Sequence, residues 1–255
     1  MLTFEGKLAL ITGGTRGLGR ALALRLAAGG ATLALNYRRD EESAARTLET
    51  IKARAPRSLL LKADLEDEGQ VRAMVRRAAT EFGRLDILIF NAAATAFKPL
   101  LEVKPHHLSR TFNLSIGGFV AAVQEASPHM DAGGRIIMIS GMDSIRNLPG
   151  HGVLGAAKAG LEAMVRDFAF ELGARGITVN GVNFGMVDSD SSRTYFGADF
   201  ARVTASAAMR SAIKRIPALD EIAAATLLLC TPEAGFITAQ TIMVDGGLTL
   251  ASPVA

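Results

Sequence analysis

The segment from Thr12 to Gly19 has residue types and spacing that suit the binding of a pyrophosphate. Glycine takes backbone conformations closed to other residues and lets a phosphate approach the main chain. An apolar run before the segment predicts a strand, and the apolar spacing after it predicts a helix whose first N–H groups and positive dipole end attract an anion. This context favours a dinucleotide site over an ordinary turn. The predicted phosphate contacts are Gly13, Thr15, Arg16, Gly17, Leu18 and Gly19.

The end of the second predicted strand indicates which dinucleotide binds. Folds that bind NAD hold the adenosine ribose with an acidic residue at this point, but here residues 36–39 read Asn-Tyr-Arg-Arg. The guanidinium groups of Arg16 and Arg38 suit a 2′-phosphate, although two solvated surface arginines would look the same. We therefore predict NADPH as the cofactor. Further predicted contacts, some of which could instead be turn residues, are Tyr37, Asp64, Leu65, Asn91, Ala92 and Ala93.

The composition is that of a globular protein in a reducing compartment. The chain has 255 residues, 49% of them apolar, and a formal net charge of +3. These values predict a large α/β core and no general role in nucleic-acid binding. No apolar run would span a membrane and no signal segment is recognised, so we expect a cytoplasmic protein. The single Cys230 excludes an internal disulfide and agrees with this. The histidines have no spacing typical of metal ligands, and no metal is predicted.

Strand and helix patterns alternate along the whole chain without a linker or a low-complexity segment. Continuous apolar runs, typical of a parallel sheet covered on both faces, predict strands near 7–12, 31–36, 58–62, 85–90, 134–140, 176–182 and 240–245. Helical spacing predicts helices near 18–29, 40–53, 67–82, 106–130, 152–174, 190–212 and 220–230. We predict a single doubly wound Rossmann-type α/β domain over residues 1–255, with a seven-stranded, mainly parallel sheet between two helical layers. Its ligand crevice lies at the carboxyl ends of the strands.

These motifs together resemble the classical short-chain dehydrogenase/reductase family over the whole chain. The resemblance is carried, in family order and spacing, by Thr12–Gly19, Asn91–Ala93, Asn113, Ser140, Lys158 and residues 244–247 (Val-Asp-Gly-Gly). It implies that Lys158 binds the nicotinamide ribose and that Asn113 holds a water in a proton relay. It also implies that Gly185 and Val187 lie in a segment that grips the carboxamide, that Ser189 lies close to a phosphate-contacting hydroxyl, and that Ser140 contacts the cofactor.

Two positions depart from the family pattern. The tyrosine expected four residues before the lysine is Leu154, and the serine expected thirteen residues before that tyrosine is Gly141. A positioned general acid is worth about 10²–10⁴ in rate, or roughly 3–5 kcal/mol of barrier. A ketone reductase must protonate a strongly basic alkoxide. Reduction of a double bond conjugated to a thioester instead gives an enolate, which hydrogen bonds stabilise and solvent protonates at carbon, so it tolerates the missing hydroxyls better.

The sequence is similar to NADPH-dependent type III enoyl-[acyl carrier protein] reductases around residues 144–146 and 187–190. Those enzymes carry a tyrosine seven residues before the lysine, where this chain has His151. An imidazole there could donate a hydrogen bond to an enolate oxygen. It could equally be a solvent-exposed residue at a helix start, since Pro149 and Gly150 predict a loop just before it. Tyr195 is another candidate donor, although packing is the more ordinary role.

The segment near 188–218 is predicted to form a substrate lid. Between residues 200 and 219 it carries no acid but four cations, which are Arg202, Arg210, Lys214 and Arg215. Such a surface suits the phosphates of coenzyme A or the acidic face of an acyl carrier protein, and a solvated helical face explains it nearly as well. The apolar lid residues Phe196, Phe200 and Met209 could line an acyl pocket or pack inward.

Three functions are compatible with these observations. The first is NADPH-dependent reduction of an enoyl thioester carried by acyl carrier protein or coenzyme A. The alternatives are a carbonyl reductase with an atypical proton donor and a catalytically weak NADPH-binding protein. The resemblance also implies a homotetramer paired through the helices near 106–130 and 152–174, and no nucleic-acid or membrane partner is expected. The small residues that permit close helix packing there are Gly117, Gly118, Ala121, Ala122, Ala156, Ala157, Ala159 and Gly160.

Overall fold

Seven short segments form a parallel sheet, each within two residues of a strand that the sequence predicts. In chain order they are β1 (Leu8–Ile11), β2 (Thr32–Tyr37), β3 (Leu59–Lys62), β4 (Ile87–Phe90), β5 (Arg135–Ile139), β6 (Thr178–Phe184) and β7 (Thr241–Val244). They lie side by side in the order β3-β2-β1-β4-β5-β6-β7, and every pair is parallel. This computed structural model describes residues 2–93 and 96–250.

The strands are joined mainly by α-helices. In chain order these are α1 (Gly17–Ala28), α2 (Glu41–Lys52), α3 (Glu68–Phe82), α4 (Pro105–Phe112), α5 (Gly118–Ala126), α6 (Gly152–Gly173), α7 (Asp190–Phe196), α8 (Phe200–Arg210) and α9 (Leu219–Leu228). Side-chain caps begin α2 and α3, since Asp40 accepts the N–H of Ser43 in α2 and Asp67 accepts the N–H of Gln70 in α3. In the described part of the chain, no helix is both long and apolar enough to cross a membrane.

Helices cover both faces of the sheet, as the continuous apolar strands require. Neighbouring residues of β1 point to opposite cores, because Leu10 packs in a cluster with Phe119 of α5, while Ile11 packs in a cluster with Leu22 of α1. All four side chains are fully buried. Burial of such a side chain stabilises the fold by roughly 1.5–3 kcal/mol. The predicted doubly wound α/β architecture is thereby confirmed.

Two predicted helices are broken in the structure. The helix expected near 106–130 is interrupted at residues 113–117 by a π-helical turn, which separates α4 from α5. Such turns occur frequently at functional sites. The helix expected near 190–212 is also wrong as one continuous element. Gly197 has a φ of +51° and ends α7, and a short 3₁₀ turn over residues 197–199 leads into α8.

The strand order reverses at β1, which pairs with β2 on one side and with β4 on the other. In open α/β sheets, ligands bind outside the carboxyl ends of the strands at such a point. The loops that follow β1 and β4 therefore meet where the sequence predicts the cofactor.

The small residues of the helices near 106–130 and 152–174 divide between the interior and the surface. Those buried inside the chain are Gly118, Ala121, Ala122 and Ala157. They pack within the chain itself, and Gly160 is half-buried. Those exposed are Gly117, Ala156 and Ala159. The homotetramer itself stays a prediction.

Candidate active site

A cavity of about 880 Å³ opens at the carboxyl ends of the strands. It extends from the loop after β1 to the start of α6, and α7 and α8 contribute one wall. The predicted cofactor contacts that line it are Gly13, Arg16, Gly17, Leu18, Asn91, Ala92, Ala93, Ser140, Lys158, Gly185, Val187 and Ser189. The predicted catalytic residues that line it are Lys158, His151 and Tyr195. The structure thus brings the predicted phosphate loop, lysine and proton donors to one site.

The backbone of the loop after β1 requires glycine. Gly13 has a φ of +60° and Gly17 a φ of +52°, in a region that other residues rarely adopt. A Cβ on Gly19 would lie 2.1 Å from the carbonyl oxygen of Gly13. Arg16, just before α1, makes no side-chain cap, which leaves the first N–H groups of the helix without that partner. This arrangement fits a pyrophosphate at the start of α1.

Hydrogen bonds from neighbouring strands hold this loop in place. The side-chain oxygen of Asn36 accepts the N–H of Gly13 at 3.1 Å. The N–H of Asn91 donates to the Thr12 hydroxyl at 2.9 Å, and the Asn91 side-chain amide donates to the Thr12 carbonyl at 3.0 Å. Asn91 therefore both lines the cavity and positions the loop. No sequence pattern indicates the positioning contact of Asn36.

The remaining predicted cofactor contacts lie outside the cavity lining, and they are Thr15, Gly19, Tyr37, Arg38, Asp64 and Leu65. Thr15 is buried behind the loop, where its carbonyl accepts the hydroxyl of Thr47 at 2.8 Å. The Leu65 side chain is 4% exposed and packs in the core. Only the main chain of Leu65 is therefore left to contact a cofactor.

Arg38, predicted to meet a 2′-phosphate, is paired with carboxylates. Its Nε lies 2.9 Å from Asp64 and its guanidinium also lies 3.3 Å from Glu66. The buried Nε nevertheless has no well-aligned hydrogen-bond acceptor. Arg110 donates two further hydrogen bonds to Glu66 and holds the pKa of that carboxyl below its usual range. The predicted adenine contact Asp64 and the predicted phosphate contact Arg38 thus lie against each other.

Lys158 is buried in α6 at the floor of the cavity. Its ammonium donates to the carbonyl oxygen of Ile139 at the end of β5. Burial lowers the pKa of Lys158 to about 8, and the nearby Asp143 and Glu162 carboxylates act in the opposite direction. A lysine in this state is charged at neutral pH and projects positive potential into a region of low dielectric.

Glu162 lies one helical turn after Lys158, and its carboxylate accepts hydrogen bonds from three polar side chains. One carboxylate oxygen accepts the hydroxyls of Ser140 at 2.5 Å and Ser144 at 2.8 Å, and the side-chain amide of Asn183 at 3.0 Å. The Ser140 hydroxyl, predicted to contact the cofactor, is therefore committed to Glu162. Sequence reasoning missed this residue, although an acid four positions from a lysine on one helix was a usable signal.

The two positions that break the family pattern both line the cavity. Leu154 presents an apolar side chain there and Gly141 presents none. Gly141 has a φ of −163°, which is extended backbone that any residue adopts. Backbone geometry therefore does not explain why a serine is missing at this position.

His151 immediately precedes α6, after the loop predicted at Pro149 and Gly150. Its side chain is only 14% exposed, so the interpretation as a solvent-exposed residue is wrong. The imidazole centroid lies 4.9 Å from the ring of Phe97 and 4.4 Å from the ring of Tyr195. The Tyr195 hydroxyl donates to the Pro149 carbonyl. Tyr195 therefore packs on the imidazole with its own hydroxyl engaged.

Asp143 is a further residue at this site that sequence reasoning missed. It lies in a 3₁₀ turn after β5, and its side chain is 7% exposed. One carboxylate oxygen lies 3.2 Å from Nδ1 of His151. The eight-residue separation spans a loop, so no helical or strand periodicity could reveal this contact. The cavity therefore holds a buried carboxylate–imidazole pair.

Asn113 is the one predicted catalytic residue that does not line the cavity. It begins the π-helical turn and is exposed. The turn itself packs against α6. Its role in a proton relay stays a prediction.

The predicted lid corresponds to α7, α8 and the turns around them. Ser189 caps α7 through the N–H of Ser192. Two of the lid cations are paired, Arg202 with Asp199 and Arg215 with Glu221, whereas Arg210 lines the cavity. Of the three apolar residues singled out, Phe196 lines the cavity and Phe200 lies under the Arg193 guanidinium. Met209 is 70% exposed, so it neither lines the pocket nor packs inward.

Within residues 2–93 and 96–250, no three His, Cys, Asp or Glu side chains are grouped in a way that could hold a metal ion. Burial raises the pKa of Cys230 to about 12. Its thiol is therefore not ionised near neutral pH and is a poor nucleophile.

Comparison with known proteins agrees with this geometry. A family model described as Enoyl-(Acyl carrier protein) reductase matches residues 13–249. The 1-cyclohexenylcarbonyl-CoA reductase of Streptomyces collinus is 38% identical over 252 residues, which cover 97% of this chain and 88% of that protein. Hydroxynaphthalene reductase arp2 of Aspergillus fumigatus is 31% identical over 248 residues, covering 94% of this chain and 91% of the relative.

Solved structures give the same result. A short-chain dehydrogenase from Burkholderia cenocepacia in complex with NADP is 34% identical, with a TM-score of 0.89 and coverage of 96% of this chain and 98% of that chain. BdcA in complex with NADPH is 31% identical, with a TM-score of 0.85 and coverage of 95% and 94%. Sheet order, glycine loop, buried lysine and these matches agree, and the chain belongs to the short-chain dehydrogenase/reductase family of NAD(P)-dependent oxidoreductases.

Proposed function

We propose that this protein reduces the carbon–carbon double bond of an enoyl thioester with NADPH. The observation that carries the proposal is the replacement of both family hydroxyls, at Leu154 and Gly141, in a cavity that keeps the Lys158 ammonium. An ammonium beside a developing enolate oxygen stabilises its charge. Carbon protonation can then come from solvent, so the reaction does not depend on a strong dedicated acid. The relative named 1-cyclohexenylcarbonyl-CoA reductase supports this assignment.

The cavity residues fit NADPH as the hydride source. The left-handed Gly13 and Gly17 and the uncapped start of α1 form a cradle for the pyrophosphate. Lys158 lies at the opposite part of the same cavity, where the nicotinamide ribose is expected. Arg16 lines the cavity and forms no ion pair among the described residues, so it is available to a 2′-phosphate. Bound NADPH would supply the hydride that adds to the β-carbon of the substrate.

We expect NADPH to bind at least about tenfold more tightly than NADH, which corresponds to about 1.4 kcal/mol. A 2′-phosphate would meet the cations Arg16 and Arg38, whereas NADH has no such group. Replacement of Arg38 by aspartate should narrow or invert the preference, because it places a third carboxylate beside Asp64 and Glu66. Dissociation constants measured by calorimetry for both nucleotides test this.

The matched control for this prediction is Arg57→Asp, which makes the same change of charge at an exposed position in the loop before β3. It should leave the ratio of the two affinities unchanged. Equal affinities for NADPH and NADH in the unmodified protein would contradict the prediction.

The acyl group is accommodated by the apolar part of the cavity. The apolar side chains in its lining include Phe97, Met142, Leu148, Leu154, Phe184, Met186, Phe196, Val203 and Leu248. Arg210 lies on α8 in the same wall and suits a phosphate of coenzyme A, or the acidic surface of a carrier protein. We propose coenzyme A thioesters as the first substrates to test, because the relative that is 38% identical is named for one.

Carbonyl reduction is the second candidate function. A relative that is 31% identical is named hydroxynaphthalene reductase. The cavity also contains His151, an imidazole that can deliver a proton. The two candidates differ in the substrate atom that receives the hydride, which is an alkene carbon in the first and a carbonyl carbon in the second.

We expect the purified protein to oxidise NADPH with crotonyl-CoA and not with acetoacetyl-CoA. Mass spectrometry should detect butyryl-CoA, and NADPH carrying deuterium at the reactive carbon should label the β-carbon. The opposite substrate preference would establish carbonyl reduction. Tight NADPH binding without turnover on a broad panel of enoyl thioesters and carbonyl compounds would favour the catalytically weak binding protein.

A further inference from the structure

We propose that Asp143 is a positioning residue that fixes the proton-transfer atom of His151, and that position 141 is glycine because the Asp143 carboxylate occupies the space of a side chain there. The carboxylate and imidazole would thereby replace the serine and tyrosine hydroxyls as one unit. The part that concerns turnover rests on the proposed function, whereas the geometry of the pair does not.

The contact between the Asp143 and His151 side chains determines which ring nitrogen of the imidazole carries the proton. Nδ1 of His151 lies 3.2 Å from a carboxylate oxygen of Asp143, and the side chains are 14% and 7% exposed. An ionised carboxylate only accepts hydrogen bonds, so Nδ1 must carry the proton between them. The hydrogen bond made by one ring nitrogen sets the role of the other. Nε2 is therefore the atom left to exchange a proton with substrate.

The fold brings these residues together through a close contact between α6 and the turn after β5. A Cβ on Gly155, one turn into α6, would lie 2.3 Å from the carbonyl oxygen of Asp143. Only glycine permits this approach, and it places the turn directly beside the residue that begins the helix. The helix start also fixes His151, whose carbonyl accepts the N–H of Gly155 at 2.8 Å.

Position 141 is constrained by the same carboxylate. A Cβ on Gly141 would lie 2.7 Å from Oδ1 of Asp143, the oxygen that does not face His151. The backbone there is extended, with a φ of −163°, and any residue could adopt it. Space, rather than backbone geometry, therefore explains the glycine. Because the atom in the way is the end of a flexible side chain, a larger residue would move the carboxylate and leave the fold intact.

Aromatic rings hold the imidazole from its other sides. Phe97 lies at 4.9 Å with an angle of 31° between the rings, and Tyr195 meets the ring edge-on at 74°. Nε2 is buried and has no hydrogen-bond partner among the described residues. An unpaired buried nitrogen is unfavourable. In the imidazolium form Nε2 would donate a hydrogen bond to the carbonyl oxygen of a bound thioester, which supplies the missing partner.

The proposed step transfers a proton from the imidazolium of His151 to the enolate oxygen of the substrate. Hydride adds to the β-carbon, and the electron pair of the double bond moves towards the thioester carbonyl to form an enolate. The imidazolium donates its Nε2 proton to the enolate oxygen and becomes neutral, while Nδ1 keeps its proton towards Asp143. The resulting enol becomes the saturated thioester when solvent protonates the α-carbon and the oxygen proton returns to the imidazole.

Other titratable groups lie on the elements that carry or pack against His151. Tyr195 packs on it from α7, and Lys158 lies seven residues further along α6. Lys98 follows Phe97, and its N–H donates to the Gly150 carbonyl. Arg146 lines the cavity and donates to the Thr249 carbonyl. The Asp143 carboxylate contacts the ring, and its negative charge opposes the positive charges of Lys158, Lys98 and Arg146.

The first test uses kinetics in a double-mutant cycle. We expect Asp143→Asn to lower kcat about 10–100-fold, up to the lower end of the roughly 10²–10⁴-fold that a positioned general acid contributes. KM and NADPH affinity should change less than about threefold. In a His151→Phe background the same change should cost nothing further, because residues that act as one unit are not additive. Asp167→Asn, the same change at an exposed position of α6, is the matched control.

Gly141→Ser distinguishes this proposal from the alternative that the chain simply lacks the family's serine. If the serine were simply missing, restoring it would raise activity. We expect the opposite, a loss similar to that of Asp143→Asn, which should likewise vanish in the His151→Phe background. Gly173→Ser, where a Cβ has nothing within 4 Å, is its control. An increase in turnover, or losses that simply add to that of His151→Phe, would overturn the proposal.

The second test does not require turnover. Nitrogen-15 NMR of the NADP⁺-bound protein, with the His151 signals identified by their loss in His151→Phe, reports which ring nitrogen is protonated. We expect neutral His151 to carry its proton on Nδ1, and Asp143→Ala and Gly141→Ser to shift the population towards Nε2. A neutral His151 that carries its proton on Nε2 in the unmodified protein overturns the proposal. If the thioesters are not reduced but the Nδ1 form is found, the proposed function fails and the assignment of Asp143 stands.

Discussion

Replacing Lys158 by alanine should lower kcat/KM for the enoyl thioester by about 10²–10³-fold, the range for loss of one preorganised electrostatic donor. The ammonium is the buried cation at the floor of the cavity and is expected to order the nicotinamide ribose. Lys158→Met should lose as much activity while filling the space of the alkyl chain, so it separates loss of charge from loss of packing. Steady-state kinetics give the measurement, with Lys52→Ala on the exposed end of α2 as the control.

The lowered pKa of Lys158 predicts that both activity and stability depend on pH. Burial lowers the pKa of Lys158 from 10.5 to about 8. In the folded protein the ammonium is therefore lost as the pH rises through about 8, and activity that depends on its charge should decline above this value. Between about 8 and 10.5 the unfolded chain binds this proton and the folded chain does not, so the Lys158 contribution to the free energy of unfolding should increase with pH. Activity that stays constant to pH 10 would contradict the role of the charge.

Replacing His151 by phenylalanine should lower turnover by about 10–10³-fold, less than the upper range for a dedicated acid, because solvent can still protonate carbon. The imidazole is buried between Phe97 and Tyr195, and phenylalanine keeps a ring in this position. Stability by thermal unfolding and NADPH affinity should therefore change little. Turnover of crotonyl-CoA is the measurement, and His106→Phe at an exposed position is the control.

Tyr195 is the alternative proton donor, so its substitution can be compared directly with that of His151. The Tyr195 hydroxyl donates to the Pro149 carbonyl, and burial raises its pKa. Tyr195→Phe should therefore retain most of the activity. If Tyr195→Phe is inactive and His151→Phe is fully active, the donor has been assigned to the wrong residue. If both are fully active, solvent is the acid and the histidine only packs.

The features that could be predicted from the sequence are those encoded by local patterns. The continuous apolar runs predict each strand because both faces of a parallel sheet are buried. The glycines of the loop after β1 were identifiable because Gly13 and Gly17 need conformations that favour glycine, and Gly19 lies in close contact with a carbonyl oxygen. The break near 190–212 was missed because helical spacing continues through Gly197, and only its φ of +51° ends α7.

The features that could not be predicted depend on contacts between distant segments. The pair of Asp143 and His151 exists because the turn after β5 packs onto α6 at Gly155, which no periodicity reveals. Similarly, the ion pairs of Arg38 could not be predicted from its position after β2, because the carboxylates of Asp64 and Glu66 come from the loop after β3. Residue type indicates which chemistry is possible, whereas packing decides the partner.

The placement of Tyr195 against the imidazole also gives the protein an optical reporter. The chain contains no tryptophan and only two tyrosines, Tyr37 and Tyr195, so its ultraviolet emission comes from the end of β2 and from the cavity wall. In a Tyr37→Phe background, a single fluorophore would remain, on α7 and in ring contact with His151. Its emission and anisotropy would then report the arrival of substrate and the motion of this wall without any attached dye.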